Sequence, residues 1–157
     1  MSKFQLIKYL KNSYEFFIVI LQFFIIVLHF IQWEFLSRIE IVKVNFIFSF
    51  LGFLLIIFGL IIMFMAIKDL GSNLSPLPRP LPNANLITSG IYRFMRHPMY
   101  FSLILISFGL FITKLSLYQL CLTISLALII KFKIVLEEKY LNKKFKNYFL
   151  YTDKVKY

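Results

Sequence analysis

Residues 86–100 combine side chains that can bind an anion or orient a polar ligand. The segment contains Arg93, Arg96 and His97 together with two tyrosines, and Pro98 follows the histidine directly. Proline is favoured in the first turn of a helix, where free backbone amides can meet an anionic group. The spacing therefore predicts an anion-binding helix N-terminus at Pro98. The alternative is that the arginines only mark membrane topology or contact lipid headgroups.

A second group of ionisable residues lies nearer the C-terminus. Glu137 and Glu138 are adjacent acids in a basic stretch, and we expect them at the cytoplasmic end of the last long helix. A helix C-terminus favours cations, so two carboxylates there need a positive partner. Lys133 lies four residues earlier on the same helix face and is one candidate, and a bound cation is the other. An ordinary solvated Glu–Lys face is the alternative.

Composition indicates the environment of these residues. Of the 157 residues, 60% are hydrophobic and 20 are Phe, and the mean hydropathy is +0.79. Such values exclude a water-soluble globule and a disordered chain. The net charge of +11 indicates Lys and Arg beside membrane spans rather than a nucleic-acid surface. With one cysteine and two histidines, we expect no internal disulfide and no metal.

Four apolar stretches predict an all-α, polytopic membrane helix bundle with about four transmembrane helices. They are residues 16–31, 46–67, 99–113 and 115–130. A bilayer core of about 30 Å needs about 20 helical residues, which the second stretch supplies. The last two are short and adjacent, which predicts a tight hairpin that either extends into 131–136 or is re-entrant. We expect one integral-membrane domain over 1–157, with two spans in 1–67 and the chemistry in 68–157.

Basic residues predict the orientation. With the N-terminus inside, the inner segments hold fifteen Lys and Arg, and the outer segments hold three. This asymmetry places both termini and the long central loop in the cytoplasm of a multi-pass protein. Lys3, Lys8 and Lys11 precede the first apolar stretch, and no small-x-small cleavage site follows it. We therefore expect an uncleaved anchor.

Two seven-residue repeats predict how the first two helices pack. Small residues allow close helix contact, and polar side chains in lipid face the bundle interior. A ligand role for a polar member of the first helix is the alternative to packing. The polar repeat is Glu15, Gln22 and His29, and the small-residue repeat is Asn45, Gly52, Gly59 and Ala66. The alternate prolines of residues 76–82 favour an extended, stiff spacer.

The central and C-terminal motifs together resemble a known family. Thr88-Ser-Gly-Ile-Tyr-Arg-x-x-Arg-His-Pro-Met-Tyr100, an apolar hairpin and Glu137-Glu138-x-x-Leu141-x-x-x-Phe145 follow one another in order. This arrangement is similar to the isoprenylcysteine carboxyl methyltransferases, which are related to the integral-membrane phospholipid methyltransferases. The resemblance covers roughly residues 66–157. It implies S-adenosylmethionine-dependent methyl transfer to a lipophilic, membrane-embedded acceptor, in a site formed by the cytoplasmic loop and a C-terminal helical tail.

The resemblance also implies which residues form the site. The matching positions fall into a cofactor-binding group and a group of candidate catalytic residues. The cofactor group is Leu86, Ile87, Tyr92, His97, Pro98, Met99, Tyr100, Glu137 and Glu138, and the catalytic group is Arg93, Arg96 and Lys133. Lys133 stands where the carboxyl methyltransferases have an arginine associated with substrate. Lysine is a poorer bidentate clamp than arginine, so the acceptor remains open among a prenylcysteine-like carboxylate, an isoprenoid and an aminophospholipid.

Two other functions compete with methyl transfer. An NADPH-dependent reductase of the sterol-reductase type shares a membrane architecture and a similar His-Pro-x-Tyr segment. Adjacent carboxylates at Glu137 and Glu138 would repel the 2′-phosphate of NADPH. A non-catalytic membrane adaptor would need neither Tyr92 nor His97 nor the acidic pair. Binding of S-adenosylmethionine, of NADPH or of neither cofactor separates the three hypotheses.

Overall fold

The computed structural model describes residues 13–31 and 44–156 of the chain, and within these ranges it is all-helical. The prediction of an all-α fold is confirmed. The five α-helices are α1 Ser13–Leu28, α2 Phe46–Leu70, α3 Pro98–Lys114, α4 Leu117–Lys144 and α5 Tyr148–Lys154. Single 3₁₀ turns lie at Gly71–Asn73 and Gly90–Arg93. Lys3, Lys8 and Lys11, which precede the expected N-terminal anchor, lie outside the described residues.

Two of the helices are long and apolar enough to cross a membrane. α2 has 25 residues and α4 has 28, which at about 1.5 Å per residue gives lengths of about 37 and 42 Å. α1 and α3 are shorter apolar helices of 16 and 17 residues. α4 continues without a break well past residues 131–136, so the last helix of the predicted hairpin takes the extended form.

A two-residue connection joins α3 to α4 and makes the hairpin tight. Leu115 ends α3 in the left-handed region, at φ 44°, and its amide bonds the Phe111 carbonyl. Ser116 then caps α4, since its Oγ accepts a hydrogen bond of 3.3 Å from the Gln119 amide. The chain thus reverses direction directly after Lys114, as the sequence predicted.

The small-residue face of α2 packs closely against α3. Gly52, Gly59 and Ala66 are buried, which confirms that part of the second repeat. A Cβ atom built on Gly52 would lie 2.7 Å from the Gly109 carbonyl oxygen and 2.8 Å from the Thr113 amide nitrogen. The fourth member, Asn45, is exposed instead and caps α2 through a 3.2 Å bond to the Phe48 amide. Gly52 and Gly59 of the repeat, together with Gly109 of α3, therefore bring the two backbones together.

The polar face of α1 is buried, as the first repeat predicted. Glu15, Gln22 and His29 are 0%, 5% and 3% exposed. Glu15 Oε1 accepts hydrogen bonds of 2.9 Å from Arg79, in the proline-rich loop, and of 2.5 Å from the Tyr140 hydroxyl on α4. The first turn of α1, the loop and the last turns of α4 therefore meet at one end of the bundle.

Replacing Gly52 by Ala tests the close approach of α2 and α3. The added methyl group meets backbone atoms that cannot rotate away, so overpacking should lower the free energy of unfolding by about 1–3 kcal/mol. Thermal unfolding of the detergent-solubilised protein measures the change. Leu60→Ala, at an exposed position of the same helix, is the matched control and should have a smaller effect. Equal unfolding of the parent and Gly52→Ala would contradict the close contact.

Candidate functional site

The segment between α2 and α3 is held in place from both sides. Asp69, at the end of α2, accepts a 2.7 Å hydrogen bond from the Ile91 amide. Gly90 has φ 59°, and a Cβ atom there would lie 1.9 Å from Asp69 Oδ2, so only glycine fits. From the other side, the Tyr151 hydroxyl of α5 donates a 2.6 Å bond to the Tyr92 carbonyl. These contacts fix the position of the Tyr92 ring.

Glu138 ties the start of α3 to α4. Its Oε1 lies 3.0 Å from Arg96 Nη1 and 3.3 Å from His97 Nε2. The other ring nitrogen, Nδ1, lies 3.9 Å from Glu137 Oε2, beyond hydrogen-bond distance. The imidazole also stacks on Tyr100, with ring centroids 5.7 Å apart. Arg96 and His97 are therefore oriented by one carboxylate, while the neighbouring carboxylate of Glu137 accepts a hydrogen bond from the Tyr100 hydroxyl and keeps Oε2 without one.

The expected position of the acidic pair is corrected. α4 ends at Lys144, so Glu137 and Glu138 lie nearly two turns inside the helix, where the end of the helix dipole has little effect. The salt-bridge partners of Glu138 come from the α3 side of the site, and Lys133 attracts Glu137 only at a longer distance than a salt bridge. Lys133 instead donates hydrogen bonds of 2.6 Å to Gln22 Oε1 and 3.1 Å to the Pro76 carbonyl.

Two cavities meet beside these residues. The larger cavity, of about 430 Å³, lies among helices α1 to α4. It is mainly apolar, with Phe23, Met63 and Leu103 among its walls. The smaller cavity, of about 90 Å³, lies between the loop and the C-terminal tail. Five residues line both cavities: Leu70, Ser75, Tyr92, Arg96 and Glu137. We call this set the shared wall.

Polar atoms without a hydrogen-bond partner point to the chemistry of the smaller cavity. Among the described residues, the buried atoms Glu137 Oε2, Arg96 Nε and the Tyr148 hydroxyl have none, and all three side chains line this cavity. Burial raises the pKa of Tyr148 above its usual value, and nearby Glu138 adds to the rise. Burial likewise raises the pKa of Tyr92, with Glu137 contributing. Both phenols therefore stay protonated at neutral pH and can donate hydrogen bonds.

The unpaired atoms fit the groups of S-adenosylmethionine. A carboxylate such as Glu137 can accept from an ammonium or from ribose hydroxyls, and a guanidinium such as Arg96 can donate to a carboxylate. Tyr148 offers a further donor. The apolar side chains of Leu86 and Ile87 line the same cavity and can contact a purine ring. The lining thus offers partners of the kinds that the charged and the flat parts of this cofactor need, and its volume of about 90 Å³ takes only part of the molecule.

The structure brings most of the predicted site residues to the two cavities. Leu86 and Ile87 line the smaller cavity, Tyr92, Arg96 and Glu137 line both, and His97, Met99, Tyr100 and Lys133 line the larger one. Pro98 is buried at the start of α3, and Glu138 acts through Arg96 and His97. Arg93 is not brought to the site, because it is exposed and lines neither cavity.

Three residues that contribute to the site were not predicted as site residues from the sequence. Asp69 positions the loop, Tyr148 supplies a buried hydroxyl, and Gln22 lines the larger cavity. An acid directly after an apolar span was a usable signal for Asp69. Gln22 was predicted to pack, with a ligand role as the alternative, and it does contact the site through Lys133.

Comparison with known proteins identifies the family of the chain. The sequence profile of the phospholipid methyltransferase family matches residues 47–148, which is more than half of the chain and includes the start of α3 and both glutamates. No curated protein matches the chain. Among the described residues, no group of three or more His, Cys, Asp or Glu side chains is placed to hold a metal ion. The chain is a membrane protein and belongs to the phospholipid methyltransferase family.

Proposed function

We propose that this protein transfers a methyl group from S-adenosylmethionine to a lipophilic acceptor embedded in the membrane. One observation carries the proposal: a small cavity at the loop and tail, whose lining contains buried polar atoms without hydrogen-bond partners, shares a wall with a larger apolar cavity between the helices. Such a pair of cavities can hold the polar end of a charged cofactor beside a lipid-like acceptor. Family membership supports methyl transfer, and the cavities support the choice of the two ligands.

The smaller cavity is the proposed site for the polar end of the cofactor, since its volume of about 90 Å³ holds only part of a ligand of that size. Glu137 Oε2 and Arg96 Nε are buried there without hydrogen-bond partners, and buried polar atoms of this kind gain from a ligand that bonds to them. Glu138 keeps Arg96 and His97 oriented for this task. When bound, the cofactor supplies a methyl group on a positively charged sulfonium. Tyr92 and Glu137, which line both cavities, are the proposed partners of that charge.

The larger cavity is the proposed acceptor site. Its walls are mostly apolar and come from four helices, which suits the chain of a lipid-like molecule. The residues of the shared wall then hold the acceptor's headgroup next to the cofactor. Alignment at near-attack distance, in a pocket that excludes water, is the source of rate enhancement that such an arrangement provides.

Neither competing function explains the cavities as well. A site for the 2′-phosphate of NADPH would need an excess of cations, whereas the two arginines that line the smaller cavity, Arg79 and Arg96, form salt bridges with Glu15 and Glu138, and Glu137 adds a further carboxylate there. A non-catalytic adaptor would not need unpaired polar atoms at Glu137 and Tyr148, since each is costly to bury. Membership of a methyltransferase family also favours methyl transfer over both alternatives.

Removing the charge of Glu137 should weaken binding of S-adenosylmethionine. Glu137→Gln keeps the size of the side chain, and loss of one charge-assisted hydrogen bond of about 1.5–3 kcal/mol reduces affinity by roughly 10- to 150-fold. Isothermal titration of the detergent-purified protein measures the affinity. Lys139→Gln changes an exposed charge on the same helix and should leave the affinity unchanged. Parent-like affinity of Glu137→Gln would mean that this carboxylate does not hold the cofactor.

Methyl transfer itself can be tested without knowing the acceptor. The purified protein should transfer radiolabel from S-adenosylmethionine into an organic-soluble product when incubated with a total lipid extract. Glu137→Gln should reduce this labelling at limiting cofactor, while Lys139→Gln should not. Separation of the labelled lipid by chromatography then identifies the acceptor. Binding of the cofactor without any labelled lipid or protein would argue for a site that has lost its activity.

We further propose a multi-pass topology with the site in the cytoplasm. The beginning of α1 contacts Arg79, the end of α2 contacts the segment before α3, and the end of α4 contacts the proline-rich loop through Lys144. These contacts gather the loop and the tail at one end of the bundle. The excess of basic residues in the same segments supports the cytoplasmic side for that end.

Cysteine accessibility tests this orientation. In a Cys121→Ser background, Ser72→Cys and Asp153→Cys place single thiols at exposed positions of the proposed inner end. A membrane-impermeant maleimide should label them only after the cells are permeabilised. Asn45→Cys, at the exposed start of α2, should react in intact cells. Labelling of Ser72→Cys from outside would reverse the orientation and separate the site from the cytosolic cofactor pool.

A further inference from the structure

The proline-rich loop, residues 76–82, forms part of the wall of the smaller cavity. Four successive residues of the loop line this cavity together with residues of the C-terminal tail: Leu77, Pro78, Arg79 and Pro80. Every second residue of the loop is a proline, which has no backbone N–H to donate. The loop therefore depends on contacts with other elements to keep its position.

An ion pair with the start of α1 supplies one such contact. Glu15 is 0% exposed, and its Oε1 accepts hydrogen bonds of 2.9 Å from Arg79 and of 2.5 Å from the Tyr140 hydroxyl. The Arg79 guanidinium also lies over the Tyr140 ring, 5.4 Å from its centroid. A buried carboxylate is costly without a cation beside it. Glu15 therefore holds Arg79, and with it the middle of the loop, against α1 and α4.

Apolar contacts extend the same interface. Val19, one turn after Glu15 on the same face of α1, forms a buried cluster with Leu77, and Phe16 and Leu81 pack against it. On the other side, Lys144 of α4 donates hydrogen bonds to two carbonyl groups at the end of the loop. The loop is thus held along its length, and α1 contributes both the ion pair and the apolar contact.

The helix that holds the loop lies outside the family match. The match covers residues 47–148, which include the loop, whereas α1 spans Ser13–Leu28. Glu15 lines neither the smaller nor the larger cavity. Any effect of Glu15 on a ligand of the smaller cavity must therefore pass through the loop.

We propose that Glu15 is a positioning residue for cofactor binding: through Arg79 it holds the proline-rich loop as a wall of the smaller cavity. This inference rests on the proposed function, because it takes that cavity as the site for the polar end of S-adenosylmethionine. A loop released from α1 has to be ordered again when a ligand binds, and the entropy lost in ordering it weakens binding.

The reactivity of a buried thiol shows whether the loop is held. In a Cys121→Ser background, Leu77→Cys places a single thiol at a position that is 8% exposed and packs against α1. Adding Glu15→Gln keeps the size of the side chain and removes its charge, so the rate of labelling by a maleimide should rise roughly tenfold. The measurement needs no cofactor. An unchanged labelling rate overturns the proposal.

The affinity for S-adenosylmethionine shows whether the loop matters to the site. In isothermal titration of the full chain, Glu15→Gln and Arg79→Gln should each weaken binding roughly tenfold, for the same loss of one charge-assisted hydrogen bond. If Glu15 acts through Arg79, the double variant binds no more weakly than the weaker single variant. Fully additive losses would mean that the two residues act independently, which also overturns the proposal.

Two control variants separate positioning from general stability. Asp153→Asn is the same acid-to-amide change at an exposed position and should alter neither labelling nor affinity. Thr123→Val removes buried hydrogen bonds between α3 and α4, outside both cavities, and should lower the melting temperature without releasing the loop. If Thr123→Val weakens cofactor binding as much as Glu15→Gln does, lost stability explains the effect and the positioning role is wrong.

The two readouts distinguish failure of this inference from failure of the proposed function. If the parent binds S-adenosylmethionine and Glu15→Gln releases the thiol without weakening binding, the positioning role is overturned and the proposed function stands. If the parent binds no S-adenosylmethionine, the proposed function fails. Faster labelling of the Glu15→Gln variant would then still support the part of the inference that concerns the loop, namely that Glu15 holds it against α1.

Discussion

Polar groups inside an apolar bundle must find partners within the protein, and this constraint organises the whole molecule. α1 buries three such groups on one face, at intervals of two turns. Glu15 bonds Arg79 and Tyr140, Gln22 bonds Lys133, and His29 Nε2 lies 2.6 Å from Ser107 Oγ. Each contact reaches a different part of the bundle: the proline-rich loop, the middle of α4, and α3. Because an unpaired polar group in such surroundings costs several kcal/mol, the face of α1 fixes both its rotation and its depth.

The site depends on a second constraint, the close approach of α2 and α3. Small residues at Gly52, Gly59 and Ala66 let the two helices lie side by side, so that Asp69 reaches the segment that precedes α3. That segment turns sharply at Gly90 and then presents the residues that bind Glu138. The close contact of α2 and α3 in the apolar region therefore determines the position of the polar segment that precedes α3. A change in helix spacing at Gly52 would be transmitted to Asp69 along a rigid helix.

Helices and their order were predictable here because long apolar stretches and charged flanks carry direct physical meaning. The repeats also predicted which faces of α1 and α2 are buried, since residues seven apart share a helical face. Pairing between distant side chains was not predictable: Lys133 and Gln22 are 111 residues apart, and nothing local indicates that Lys133 prefers this amide to Glu137. The end of α4 was also misplaced, because the lysine-rich residues 139–144 resemble a solvated tail in the sequence. In the structure they continue α4, and α1 and the loop pack against them. Arg93 and Arg96 have the same chemistry, and only the turn between them exposes the first and buries part of the second.

Glu137 and Glu138 show how neighbouring residues of one type acquire different tasks. Successive residues on a helix point about 100° apart. Glu138 therefore faces the start of α3, while Glu137 faces the two cavities as part of the shared wall. Arg96 and His97 can satisfy only one carboxylate closely, and the shorter contacts go to Glu138. The remaining carboxylate keeps a buried oxygen without a hydrogen bond, between the smaller cavity and the larger one, which Lys133 also lines. Lys133, one turn earlier on α4, attracts this carboxylate at longer range than a salt bridge. The two acids therefore differ because the cations at the start of α3 approach only one of the two directions in which neighbouring helix residues point.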